Sequence, residues 1–209
     1  MSRKLVFLRH GKVALPYESH NHMPFNILRA LGDQTMDPPS DITYLESRKD
    51  YLQTLFSKFN FSKIFRSPSR RCSTLAQYLN TIVSKELPKA EELEDLREIF
   101  FDLNILFPSQ NASLEEISPR LIEEILTGGP GTEPLEEIIQ RFNHIIDQMP
   151  PSEDVLILTH GFFMRLIAST YENLNNSSPT ITAWEEAPRF KYLEGFILEQ
   201  DKPIKYILS

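Results

Sequence analysis

The chain has 209 residues, 41% hydrophobic and 24% charged, which suits one α/β domain with a sizeable core or two very small domains. Its net charge of -7 argues against general binding to nucleic acid or an anionic membrane, but leaves room for a small basic pocket. A single cysteine, Cys72, excludes an intramolecular disulfide and a cysteine zinc cluster, and no apolar run approaches the ~20 residues of a membrane helix.

The first element is Leu5-Val6-Phe7-Leu8, an apolar run that ends in Arg9, His10 and Gly11 and reads as a buried strand. Arg9 and His10 break the run too early for a signal peptide after Arg3 and Lys4, so a cytoplasmic protein is expected. Gly11 permits a sharp turn and close approach of a ligand. Such a strand delivers Arg9 and His10 to the carboxyl edge of a parallel sheet, where open α/β folds bind ligands. Taken alone, the stretch fits equally well a strand with a polar end and a hydrogen-bonded structural histidine.

Residues 12–41 are irregular, with Pro16, Pro24, Pro38 and Pro39, and read as a flap over that edge with a short helix at 25–31. His20 and His22 would share one face of a strand, but no third ligand stands near and no metal site is expected. Thr43-Tyr44-Leu45-Glu46 is a capping-box pattern that predicts a helix to about residue 59, with Thr43 as N-cap. Leu45, Leu52, Leu55, Phe56 and Phe59 give it an apolar stripe. A short strand at 63–66 follows. Ser67-Pro68 then starts a helix, capped by the serine, that carries Arg71, Cys72, Leu75, Ala76 and Leu79.

Residues 86–94 read as an acidic connector and 93–101 as holding a short strand, before a turn around Asp102 and Asn104. A second capping box, Ser113-Leu114-Glu115-Glu116, opens a helix that runs past Pro119 to Leu126 and stops at Gly128-Gly129-Pro130-Gly131. Pro134 opens another, with Leu135, Ile138, Ile139, Phe142, Ile145 and Ile146 on its apolar side, and Pro150-Pro151 ends it. Residues 154–161 repeat the opening theme, an apolar run ending in His160-Gly161, with an apolar helix at 162–171 behind it. A polar loop at 173–179 and two late strands, 192–198 and 204–208, joined by a turn at Asp201-Lys202-Pro203, complete the chain. Strands alternating with helices, without an internal repeat or linker, predict one domain over 1–209 with a mostly parallel, three-layer α/β/α sheet.

Two strands ending in His-Gly place both imidazoles at the same sheet edge, within reach if the strands are neighbours. Arg9 and Arg71 complete the pattern, since guanidinium forks and a helix N-terminus suit phosphoryl oxygens. A neutral imidazole can attack phosphorus once such a clamp neutralises its charge, and a nearby carboxylic acid can protonate the leaving oxygen.

In ordered blocks along its length the sequence resembles the histidine phosphatase superfamily, with its phosphoglycerate-mutase-like fold. Leu8-Arg9-His10-Gly11 looks like the Arg-His-Gly signature. Residues 66–76 resemble the Ser-Pro-x-x-Arg block, with Arg71 rather than Arg70 in the phosphate register. Leu96-Arg97-Glu98-Ile99 resembles the block that bears the acid, and residues 158–165 the second-histidine block. The resemblance implies that His10 is the nucleophile and forms a phosphohistidine. It implies that Arg9, Arg71 and His160 bind the phosphoryl group and that Glu98 is proton donor and then base. Neither a metal nor an organic cofactor is implied, and the partner is a phosphorylated small molecule. Segments at about 12–41 and 105–131 would be variable caps over the pocket. Arg165 fits its block but also fits a structural arginine on a helix.

The chain departs from the common pattern in two places. Lys12-Val13 stands where many members have Glu-Thr or Glu-Ser, and Phe101-Asp102-Leu103-Asn104 replaces an aromatic-Gly and Trp-Glu-Gly stretch. Phosphatase is the expected activity. Mutase-type transfer, a protein phosphohistidine phosphatase and a non-catalytic phosphate-binding protein are the alternatives. Cys72 is followed six residues later by Tyr78, not arginine, and 128–132 lacks a P-loop lysine, so neither of those phosphate chemistries is expected. Trp184, Phe162 and Phe163 are expected in the core or pocket wall.

Overall fold

The computed structural model describes residues 3–18, 22–109, 112, 114–171, 181–199 and 202–208. His20, Ser113 and Asp201, and the polar loop expected at 173–179, lie outside the described residues.

Six strands form one sheet: β1 (Lys4–Arg9), β2 (Lys63–Arg66), β3 (Ala90–Glu92), β4 (Val155–Thr159), β5 (Gly195–Glu199) and β6 (Lys205–Ile207). Their order is β3-β2-β4-β1-β5-β6. The first four are parallel, and β5 and β6 join antiparallel at the β1 edge, so the sheet is mostly parallel as the alternation predicts.

Side-chain alternation along each strand sorts the core into two layers. Leu5 and Phe7 of β1, with Val155 and Ile157 of β4, face one cluster, while Val6, Leu8, Leu156 and Leu158 face the other. The second layer is built by α2 (Ile42–Ser47), α3 (Lys49–Phe56) and α4 (Arg70–Ile82), through Leu45, Leu52, Leu75 and Leu79. The first is built by α1 (Phe25–Gly32), α5 (Leu103–Leu106), α6 (Leu114–Thr127), α7 (Leu135–Gln148), α8 (Gly161–Tyr171) and α9 (Ile181–Glu186). No described helix is long and apolar enough to cross a membrane.

Several local expectations are corrected. The helix at 43–59 is two helices, because Arg48 leaves the helical region at φ -111°, ψ 11°. Its N-cap is Asp41, not Thr43. The Asp41 carboxylate accepts from Thr43 N (2.9 Å) and Tyr44 N (3.3 Å), and the Asp41 N–H is tied to the Lys12 carbonyl. The helix after β2 starts at Arg70 with Ser69, not Ser67, as N-cap. No strand lies within 93–101. The strand is β3, inside the supposed connector, and residues 94–96 form a 3-10 turn. The sequence reading also missed α9. Gly128, at φ 70°, ends α6 as expected of a glycine beyond a helix C-terminus.

Candidate active site

The parallel pairing of β1 with β4 sets the site. Their register aligns Leu8 with Leu158 and Arg9 with Thr159, so His10 and His160 leave the sheet side by side, with ring centroids 5.2 Å apart. The His10 N–H donates to the Thr159 carbonyl (3.1 Å), closing the ladder one residue beyond the strand. His10 is 4% exposed and His160 fully buried.

Each ring has a tautomer set by its neighbours. His10 Nδ1 lies 2.7 Å from the Gly11 carbonyl oxygen, which can only accept, so Nδ1 carries the proton and Nε2 the lone pair. The Arg71 Nε–H donates to His160 Nδ1 (3.2 Å), so His160 holds its proton on Nε2 and donates it to Ser67 Oγ (2.8 Å). Burial drives His160 well below the usual histidine range, and the charge of Arg71 adds to that.

This predicts a pH-dependent stability. The unfolded chain takes up a proton on this residue near pH ~6.5, the folded chain only at markedly lower pH. Between those values the unfolded state binds the extra proton, so stability is fully present above the window and falls as pH drops through it. The slope approaches about 1.4 kcal/mol per pH unit. Urea unfolding across that range should show the slope in the parent and its loss in His160→Gln; equal slopes would refute the assignment.

Arg9 is packed rather than free. Its Nη1 donates to the Phe190 carbonyl (2.6 Å), and its guanidinium carbon stands 4.4 Å from the Tyr192 ring centroid. The turn that brings Tyr192 there uses Leu193 at φ 64°, a left-handed conformation that costs a non-glycine residue about 1–2 kcal/mol. Gly161 packs tightly beside it: a Cβ at that position would lie 3.0 Å from Arg9 Nε and 3.1 Å from its guanidinium carbon, so the Arg9 side chain would have to shift by a few tenths of an ångström.

Arg71, in the first turn of α4, points one Nη at Asp37 (3.1 Å), while the other Asp37 oxygen accepts from Arg70 N (2.7 Å). The helix N-terminus and the arginine expected at an anion seat therefore share a carboxylate of the 12–41 segment. Nothing local in the sequence marks Asp37 or Tyr192 as partners of the site; Ser67 and Ser69 lie in the 66–76 block, where Ser67 reads only as a helix cap.

Glu98 is delivered from the turn after β3. Thr159 Oγ1 donates to the Leu96 carbonyl (2.7 Å), and Arg141 Nη1 donates to the carbonyls of Asp95 and Arg97. Glu133 binds Arg97 (3.1 Å) and Arg141 (2.9 Å). The Glu98 carboxylate accepts from Phe163 N (2.8 Å) and Phe162 N (3.2 Å) at the start of α8, and from Ile99 N (3.1 Å). Burial raises its pKa above the ordinary carboxylate range, against the opposing pull of these N–H groups and of Arg71.

Arg9, His10, Arg71 and Glu98 together line one cavity of about 220 Å³. A smaller cavity of about 150 Å³, bounded by Asp37, Ser67, Ser69 and His160, adjoins it through Arg71 and Glu98. Arg165 donates to the carbonyls of Trp184 (2.6 Å) and Ala187 (3.2 Å), the structural role open to it in the sequence, and is lowered to about 10 by burial and by Arg189. Burial pushes the Cys72 thiol up to about 11, so it stays protonated and unreactive. His22 is exposed, and among the described residues no cluster of three or more His, Cys, Asp or Glu side chains could hold a metal ion.

A family model described as the histidine phosphatase superfamily, branch 1, matches residues 46–187. The chain belongs to the histidine phosphatase superfamily. The matched segment contains Arg71, Glu98 and His160 and begins after His10. None of the curated proteins matches the sequence significantly. Among solved structures, a mycobacterial glucosyl-3-phosphoglycerate phosphatase is 17% identical with TM-score 0.64, covering 100% of both chains. A phosphoglycerate mutase from Bacillus anthracis is 19% identical with TM-score 0.63, over 100% of this chain and 93% of the other. A protein titled mycobacterial hydrolase 1 is 16% identical with TM-score 0.63, over 100% of both. At these identities the likeness establishes the phosphoglycerate-mutase-like fold.

Proposed function

We propose that the chain is a phosphoric monoester hydrolase acting on a small molecule through a phosphohistidine on His10. The observation that carries this is the His10 ring. Its Nδ1–H is held by the Gly11 carbonyl, which puts the ring's lone pair on Nε2, and the ring lines a cavity together with Arg9, Arg71 and Glu98.

In the first step Nε2 attacks phosphorus, the ester P–O bond breaks, and the leaving oxygen takes the proton of the Glu98 carboxyl. Arg9 and Arg71 bind the phosphoryl oxygens and offset the charge that develops on them. His160 contributes a neutral ring whose Nδ1 accepts from Arg71 and whose Nε2–H is held by Ser67, so it orients the Arg71 guanidinium on the phosphoryl group. In the second step Glu98 takes a proton from water, the water oxygen attacks phosphorus, and the P–N bond breaks to release phosphate. The raised Glu98 pKa supports the first role, because it extends the protonated form toward neutral pH. The arginines supply the cationic charge, so the scheme calls on neither a metal nor an organic cofactor.

Hydrolysis is favoured over mutase transfer by the rest of the cavity. Arg165 has its Nε and Nη2 on backbone carbonyls and Arg189 is exposed, so among the described residues the far end of the cavity holds no second cation pair as buried as Arg9 and Arg71. Release of phosphate from p-nitrophenyl phosphate, with His10→Ala as control, tests the proposal. Retained phosphate binding without turnover in the parent protein would favour a non-catalytic binding role.

A further inference from the structure

We propose that the site selects phosphate monoesters whose organic part is apolar, an aryl or arylalkyl group, and discriminates against phosphorylated sugars. The proposal rests on the phosphatase reading for its turnover arm and on the cavity wall for its binding arm.

Beyond the His10 end, the cavity is walled by Val13, Leu28, Leu31, Phe101, Phe162 and Phe190. These walls are fixed by the same contacts that build the reactive end. Phe190 offers its carbonyl to Arg9, and Phe162 its N–H to Glu98. The Phe162 ring is set between Phe101 and Trp184, each with centroids 6.0 Å away. Val13 is 2% exposed and is pinned by a bridge to Ser40. Phe101 pairs with Thr132 and packs so closely on Gly32 that a Cβ there would lie 2.2 Å from its ring. Both places where the sequence leaves its family's common pattern, Lys12-Val13 and Phe101-Asp102, thus supply an apolar wall.

Polar groups in this part of the cavity are few. Arg165 has its Nε and Nη2 on the carbonyls of the α9 end, Arg189 at the wall is exposed to water, and Ser118 adds one hydroxyl. A hexose would bring several hydroxyls against carbon, and each one stripped of water without a partner lowers binding about tenfold or more. An aromatic group instead gains from the same walls.

The test compares 3-phenylpropyl phosphate with glucose 6-phosphate. Both are primary alkyl esters, so leaving-group chemistry is matched and kcat/KM reports the wall. The parent should favour the phenylpropyl ester by about 100-fold or more. The His10→Ala variant should bind it at least about tenfold more tightly by calorimetry. Val13→Thr, which sets a hydroxyl into the wall at nearly constant volume, should narrow the kcat/KM ratio several-fold, a ratio that partial misfolding would leave unchanged. Equal use of the two esters, or preference for the sugar, would overturn the proposal, as would an unchanged ratio in Val13→Thr. Absence of turnover with the binding preference intact would overturn the phosphatase reading and uphold the pocket; absence of both would overturn each.

Discussion

His10→Ala is expected to lower kcat for p-nitrophenyl phosphate by on the order of 10,000-fold or more, while inorganic phosphate still binds within several-fold of the parent. The asymmetry follows from the division of labour at the sheet edge. The proposed clamp, Arg9 and Arg71, is held by groups other than the His10 ring: Arg9 by the Phe190 carbonyl and Tyr192, Arg71 by Asp37 and His160. Removing the imidazole takes away the lone pair and leaves the clamp standing. Steady-state kinetics with phosphate as competitive inhibitor separates the two effects. Residual turnover within about tenfold of the parent would remove His10 from the nucleophile's role.

Glu98→Gln is expected to act according to the leaving group. For an alkyl ester, whose departing oxygen needs a proton, kcat/KM should fall by about 100- to 10,000-fold. For p-nitrophenyl phosphate, whose leaving group departs as a stable anion, kcat/KM should change by less than about tenfold. Water activation slows for every substrate alike, so the p-nitrophenyl ester should give a burst of product equal to the enzyme present, followed by slow turnover. In the parent, kcat/KM for alkyl esters should fall on the alkaline side as Glu98 ionises. That limb lies above the ordinary carboxylate range because burial raises the group, and it should vanish in Glu98→Gln. Equal slowing of both ester types in kcat/KM would count against Glu98 as the acid.

The parts of this site legible in the sequence are those with a local signature. An apolar run ending in a polar residue before glycine marks β1 and β4, and the pairing of those strands turns two separate motifs into adjacent rings. Arg71 was legible from the block spacing, and its place in the first turn of α4 follows from the helix start. What stayed hidden is held by distant partners. Asp37 reaches Arg71 across 34 positions, and Thr159 reaches the Leu96 carbonyl across 63. Such bonds leave no periodicity or spacing to read. β3 was misplaced for a related reason. Ala90–Glu92 has no apolar run, because it is an edge strand whose charges pair outward, Glu91 with Lys63 and Glu92 with Arg66. The cap at α2 went to Asp41 over Thr43 because Asp41 is already fixed by its N–H to Lys12, a contact between the two ends of the 12–41 segment.

The covalent intermediate is the claim on which the rest depends. Glu98→Gln mixed with p-nitrophenyl phosphate, quenched at alkaline pH during the burst and mapped by mass spectrometry, should carry one phosphoryl group on His10, and the His10→Ala/Glu98→Gln double variant none. Phosphate mapped to another residue, or a burst with no phosphorylated protein at all, would contradict the mechanism.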